Sequence, residues 1–328
     1  IFARMNPILK QLYNKDDFVN LEHQNFEGAK IEPRYYVPVL PMLAINGSEG
    51  VSIGFAQKIL PRKPKEIIKW VKQRASGERI TANLTPHWEG MSCVVNKGES
   101  KVQWEITGSF VRTTKHRITI NSLPVGYTLK QYQAVLERLV DDKVIKDYDD
   151  LSDNDVFEFE IQVDRSFGER TDEWIMTKLK LIKKVSENFT CIDENNKIVI
   201  FSSLKELLEA WYVKRIEYND KRKQHLLSSM QEEMDYTNAR AKFIQGVVDG
   251  DIELRNAKEI AVIVQAEAYD AILQGRVKGF LGLPMRSLTT EEIAKLKSKA
   301  KALKLEIAAY SKNTFEDILI QDLDNVSI

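Results

Sequence analysis

The segment Asn46-Gly47-Ser48-Glu49-Gly50-Val51-Ser52-Ile53-Gly54 is the part of the chain best suited to meet a ligand. Glycines at 47, 50 and 54 allow positive φ or a close backbone approach. Such a run serves either as a hairpin turn or as a ligand loop. Val51 stands between glycines, just ahead of a basic stretch. An apolar tip beside lysines is the composition of a side chain that wedges between base pairs. That stretch, Gln57–Arg79, holds Lys58, Arg62, Lys63, Lys65, Lys69, Lys72, Arg74 and Arg79 against Glu66 and Glu78, eight cations less two acids, or +6. It reads either as a solvated helix face or as a row that tracks phosphates, with Lys65, Lys69 and Lys72 on one helix side. Trp70 in the same helix reads as a core anchor.

Other chemistry is absent from the pattern. No serine–histidine–aspartate or cysteine–histidine constellation is readable, and no close acid pair stands out. His23, His87, His116 and His225 show no ligand spacing with one another or with Cys93 and Cys191, so a structural zinc site is not expected. No phosphate-binding P-loop occurs. Two cysteines do not make a disulfide framework and point to a reducing cytoplasm.

Several elements must position these residues. Tyr35 to Leu60 is β-like, and a short helix is expected near 4–13. Pro64 suits the first turn of a helix, KEIIKWVKQ, because its missing N–H would be unpaired there. Residues 80–165 alternate as half-buried strands, with a helix in TLKQYQAVLERLVDD and a strand in VFEFEIQVD. A helix near 171–185 and strands around 189–201 follow. From Leu204 to Val248 there is no proline and only one glycine, Gly246, so one helix of about 65 Å is expected. A second long helix opens at Thr289 or Thr290. Its apolar positions, Ile293, Leu296, Ala300, Leu303, Ile307 and Tyr310, step by 3, 4, 3, 4, 3 as in a coiled coil. The two helices suggest an antiparallel arm with a small helical head. The fold class is therefore α+β, multidomain, ending in a coiled-coil arm.

The chain has 328 residues, with 48 basic and 48 acidic side chains. At 43% hydrophobic and 29% charged it reads as globular, of two or three domains. No run approaches the ~20 apolar residues that span a bilayer, and the first residues lack the apolar core and cleavage site of a signal peptide. Zero net charge suggests no nucleic-acid partner, but it is a cancellation: the tract at 57–79 is offset partly by the last sixteen residues, whose Glu316, Asp317, Asp322 and Asp324 carry −4.

The blocks VPVLPMLAINGSEGVSIGFAQKILPRKPKEII (37–68), HWEGMSCVV (87–95), ITINSLPVGYTLKQYQAVLERLV (118–140), LKELLEAWYVKRIEYNDKRKQHLL (204–227) and GFLGLPMRSLTTEEIAKLKSKAKAL (279–303) occur in this order. In this they resemble the breakage–reunion subunit of type IIA DNA topoisomerases, which includes gyrase A, topoisomerase IV A and eukaryotic topoisomerase II. The similarity is greatest to the medium subunit of T4-like bacteriophages. It extends over essentially the whole chain.

The resemblance implies double-stranded DNA as partner and a homodimer closed by a C-gate. It also implies an ATP-dependent holoenzyme that breaks, passes and rejoins duplexes. Mg²⁺ and ATP would be held by TOPRIM and GHKL domains, with no cofactor on this chain, and the setting would be the cytoplasm, that of the host if phage-encoded. Residues 1–30 would be the end of a winged-helix domain and 31–200 a tower domain. Residues 203–248 and 286–312 would be the coiled coil, 249–285 the C-gate head, and 313–328 an acidic helix. Ile1-Phe2-Ala3-Arg4 resembles the sequence after the catalytic tyrosine, so the nucleophile is expected just before Ile1, the chain alone is expected to be inactive, and Arg4 is expected near the scissile phosphate. Tyr13 is no substitute, since no arginine precedes it. The family's intercalating isoleucine maps onto the smaller Val51. Asn46, Gly47, Ser48, Lys58, Arg62, Lys63, Lys65 and Lys69 would complete the DNA contacts. The alternative is a non-catalytic coiled-coil clamp or scaffold for nucleic acid. That would account for the arm and the basic tract but not for the ordered blocks.

Overall fold

A computed structural model describes residues 4–153, 156–255 and 257–327. They form two compact units, one of Leu40–Val213, the other of residues up to Val39 with Lys214–Ser327. The mixed α+β composition and the long helix agree with the sequence reading.

The N-terminal residues make a single turn, α1 (Leu9–Leu12), where a helix over 4–13 was expected. Pro7 biases Asn6 away from the helical region, and Tyr13 is extended at φ −121 and ψ 96, so the helix is held to one turn. The strands β1 (His23–Phe26) and β2 (Ala29–Pro33) pair as a hairpin.

The central unit opens with α2 (Met42–Asn46), β3 (Ser48–Ser52), β4 (Phe55–Ile59) and α3 (Pro64–Ala75). Pro64 sits in the first turn of α3, and Ile67, Trp70 and Val71 form its buried face, as the sequence spacing requires. Then come β5 (Val94–Lys97), β6 (Gln103–Thr107), β7 (Ser109–Thr114), β8 (Arg117–Ser122) and α4 (Leu129–Asp141). A full capping box between Thr128 and Gln131 starts α4. The remainder is β9 (Asp147–Asp150), β10 (Phe159–Gln162), α5 (Arg165–Gly168), α6 (Asp172–Lys178), β11 (Ile182–Ser186), β12 (Phe189–Ile192) and β13 (Ile198–Phe201).

Four strands lie in the order β7-β8-β10-β9 and three in the order β11-β6-β5. Tyr132 and Leu136 of α4, Ile118 and Ile120 of β8, and Phe159 and Ile161 of β10 share one dry core. The helix expected near 171–185 stops at Lys178, because Lys180 takes φ +56 and the chain turns into β11 against β6. Sheet pairing there overrides local helix propensity.

The unbroken α7 (Leu204–Asp249, 46 residues) follows. In the second unit its C-terminal half meets α8 (Glu259–Tyr269) and α9 (Thr290–Lys312), and α10 (Phe315–Asp324) closes the chain. Arg240–Glu292 and Lys299–Glu233 pairs show that α9 runs antiparallel to α7. Of the heptad positions, Ile293, Leu296, Ala300 and Leu303 are buried, whereas Ile307 and Tyr310 are half-buried. Residues 252–255 and 257–280 fold against α7 as a small core around Phe243, Ile252, Val262, Ala266 and Phe280. A Cβ at Gly246 would lie 2.7 Å from Ile252 Cδ1, so the Ile252 side chain would have to shift.

A buried charge cluster organises the other end of this unit. Arg215 donates to Asp17, to Asn219 and to the carbonyl of Val37, while Arg222 pairs with Asp322. Part of the acidic C-terminal segment is thus consumed in holding α10 to α7. Asn219 Nδ2 donates to the Phe315 carbonyl at the start of α10.

Candidate nucleic-acid interface

The glycine-bearing segment is a hairpin mounted on a rigid base. Gly47 follows α2 with φ +70 and ψ 174, a region open in practice only to glycine. A Cβ there would lie 2.7 Å from the Ile59 carbonyl and 2.9 Å from Pro61 N. Gly47 therefore lets the start of β3 pass directly over the end of β4. Ser48 pairs with Ile59, Gly50 with Gln57 and Ser52 with Phe55. Ile53 and Gly54 make the turn, and only Gly54 of these two has positive φ, +81, which is the type II pattern.

The two faces of the hairpin differ. On one, Ser48 donates to Gln57, which in turn donates to the Thr190 carbonyl on β12. Backbone bonds between Lys58 and Asn188 add to this attachment. On the other, Glu49 and Lys58 pair at 2.6 Å, and Val51 stands opposite Ala56 in open solvent. Val51 is 89% exposed and Ile53 wholly exposed, values far above those of an ordinary strand side chain.

Below the hairpin lies an ion pair that sequence reasoning assigned elsewhere. Arg62, expected among the DNA contacts, is 2% exposed. Its guanidinium grips both carboxylate oxygens of Glu187, at 2.8 and 2.7 Å. Glu187 also accepts from Leu60 N at 2.9 Å and Trp104 Nε1 at 2.8 Å. A buried, bidentate guanidinium cannot reach a phosphate in solvent, so Arg62 holds the hairpin's base. Glu187 and Trp104 were not anticipated, because they lie more than forty residues away in sequence and only sheet pairing brings them near.

The other expected cations sort by their partners. Lys63, Lys65 and Lys69 are exposed and make no ion pair among those found in the described residues. Lys58 is engaged by the exposed Glu49, and Arg74 by Glu209 and the Tyr212 ring. Asn46 is exposed, and Ser48 and Gly47 are half-buried at the foot of β3. Beside that foot is a cleft of about 430 Å³ lined by Asn46, Ser48, Lys58, Trp88 and Lys183. Lys183 donates to the Val125 carbonyl and stands over Tyr127, an unforeseen cation at this end of the hairpin.

In the other unit Arg4 is exposed, whereas Ile1, Phe2 and Ala3, on which the register of the cleavage motif was read, lie outside the described residues. Tyr13 packs edge-on to Tyr36, and burial, reinforced by Tyr36, raises its pKa. That is the opposite of an activated nucleophile. Among the described residues, no group of three or more His, Cys, Asp or Glu side chains is placed to hold a metal, and no helix is long and apolar enough to cross a membrane.

A family model for the A chain of DNA gyrase and topoisomerase IV matches residues 1–324. The chain is 25% identical over 361 residues to DNA topoisomerase 2 of Penicillium chrysogenum, covering 99% of this chain and 23% of that protein. It is 24% identical over 331 residues to the DNA topoisomerase medium subunit of Enterobacteria phage T4, covering 99% of this chain and 73% of the relative. The fold matches a crystal structure of the DNA-binding, cleavage and re-ligation domain of Plasmodium falciparum topoisomerase II. The TM-score is 0.78 at 24% identity, over 97% of this chain and 48% of that one. The chain thus spans about a quarter of the fungal relative's length.

Proposed function

The chain belongs to the gyrase A/topoisomerase IV A family of DNA topoisomerases, and from that premise we propose that it holds and bends the duplex that a type II topoisomerase cuts. The carrying observation is the hairpin: an apolar end in solvent, a base fixed by Arg62 and Glu187, and three exposed lysines on the chain that follows. Val51 acts as a wedge in a base step, and Lys63, Lys65 and Lys69 bind phosphates. Unstacking costs a few kcal/mol, offset by the backbone contacts that a bent duplex permits. A rigid base matters because a wedge on a yielding support would bend the protein instead of the DNA.

In this reading residues 1–30 complete a winged-helix domain and residues 31–200 serve as the tower. Residues 203–248 with 286–312 form the coiled coil, 249–285 a C-gate head, and 313–328 the acidic helix. Strand passage uses Mg²⁺ and ATP on TOPRIM and GHKL domains, and the DNA is attacked by a tyrosine other than Tyr13. Two copies dimerise through the head, where Ile260, Val264 and Met285 are 76%, 61% and 88% exposed.

The test is duplex binding measured against salt concentration. Changing Lys63, Lys65 and Lys69 together to alanine should weaken binding and lower the slope of log affinity against log salt by roughly 2–3. An unchanged slope would remove these lysines from the interface.

A further inference from the structure

The hairpin carries a second solvent-facing apolar residue beyond the one that the family resemblance selects. Ile53 is 100% exposed, the most exposed large apolar side chain among the described residues. It occupies the first position of the turn, between the paired residues Ser52 and Phe55. A type II turn asks for positive φ at its second position, which Gly54 provides, and accepts most residues at the first. The fold therefore has no need of isoleucine there. Single exposed apolar residues are ordinary, but this one shares a five-residue apex with Val51 at 89% and Phe55 at 43%. The hairpin's own attachments all lie on its other face or at its foot, through Gln57, Lys58 and Leu60. A duplex meeting the hairpin end-on encounters the turn first.

We propose that Ile53 is the leading wedge residue, entering the base stack ahead of Val51, and that it makes the chain favour duplexes with an easily unstacked pyrimidine–purine step. The proposal rests on the DNA-gate reading above and adds a residue and a sequence preference to it. Duplex DNA is the fitting occupant because the exposed cations on the same unit, Lys63, Lys65 and Lys69, complement a polyanion. Valine alone is a short wedge. An isoleucine at the apex restores apolar reach while the polar rim, Glu49 and Ser52, stays wet.

The experiment uses the chain and two duplexes of about 30 base pairs, one with a central TA step and one with a central A-tract. A 2-aminopurine beside the central step reports unstacking by its fluorescence. The unmodified chain should raise the fluorescence of the TA duplex and bind it roughly tenfold more tightly than the A-tract duplex. Ile53→Ser should abolish both the rise and the preference with an unchanged salt slope, and Ile53→Leu should restore them. Ile53→Ser that retains the fluorescence rise and the preference overturns the proposal, even where Val51→Ala loses them. An unmodified chain that binds neither duplex in a salt-dependent manner overturns the gate reading and this proposal together. Salt-dependent binding with an intact rise in Ile53→Ser overturns this proposal alone.

Discussion

Arg62 and Lys63 are neighbours in sequence and opposites in role. One is buried in a bidentate pair with Glu187, the other is exposed without an ion-pair partner among those found in the described residues. Removing one member of a buried pair strands the other charge, so Arg62→Ala should cost about 3–5 kcal/mol in urea unfolding. Lys63→Ala should stay within about 0.5 kcal/mol of the unmodified chain in the same experiment. If both variants unfolded alike, the buried pair would not be supporting the hairpin. Gly47→Ala should also destabilise, by about 1–3 kcal/mol, because its φ is closed to other residues and its Cβ would press on the Ile59 carbonyl. At this scale the sequence was partly legible. The glycine pattern announced a turn, and the lysines at 63, 65 and 69 are exposed. It could not separate Arg62 from them, since the deciding partner lies 125 residues away.

The elements owe their boundaries to caps that are mostly readable. Ser202 donates to Glu206 while Ser203 accepts from its N–H, at the start of α7, and Thr314 with Asp317 boxes the start of α10. The Ser202 hydroxyl and N–H lower the pKa of Glu206, and the Thr314 N–H, then its hydroxyl, lowers that of Asp317. A carboxyl with a lowered folded pKa contributes stability at pH above its unfolded value, lost as pH falls through the folded one. Glu206→Gln should therefore flatten the acid limb of the melting temperature plotted against pH, below about pH 4.3. Equal acid limbs in the two proteins would show that the cap makes no charge-dependent contribution. Where element reading failed, at α1 and at residues 182–186, the causes differed. The second was recruited as β11 against β6, whereas the first is limited locally, since Pro7 biases Asn6 away from the helical region.

For the whole molecule, neutrality has a structural account. The cations at 63, 65 and 69 remain open to solvent, while Asp322 of the acidic end is committed to Arg222. Net charge is thus a poor guide to partners, because pairing decides which charges are available to one. The dimer proposal belongs at this scale too. Ile260→Asp with Val264→Asp changes two exposed residues four apart on α8, leaving the Phe243 and Phe280 core untouched. Sedimentation should then show a monomer at tens of micromolar where the unmodified chain is dimeric. A variant that still dimerised would place the contact elsewhere.

Sequence alone determined the elements whose signals are local: the proline-started α3, the uninterrupted α7, the 3–4 spacing of α9 and the glycine-marked hairpin. Propensity, capping and periodicity are properties of neighbouring residues, so they survive without coordinates. Only the tertiary structure decided which cations are buried, how far Val51 and Ile53 stand in solvent and what braces the hairpin's base. Those answers depend on Glu187, Trp104 and Asn188, brought beside the hairpin by β-pairing. A long-range contact leaves no period in the sequence, and burial turns one arginine from a phosphate ligand into a brace.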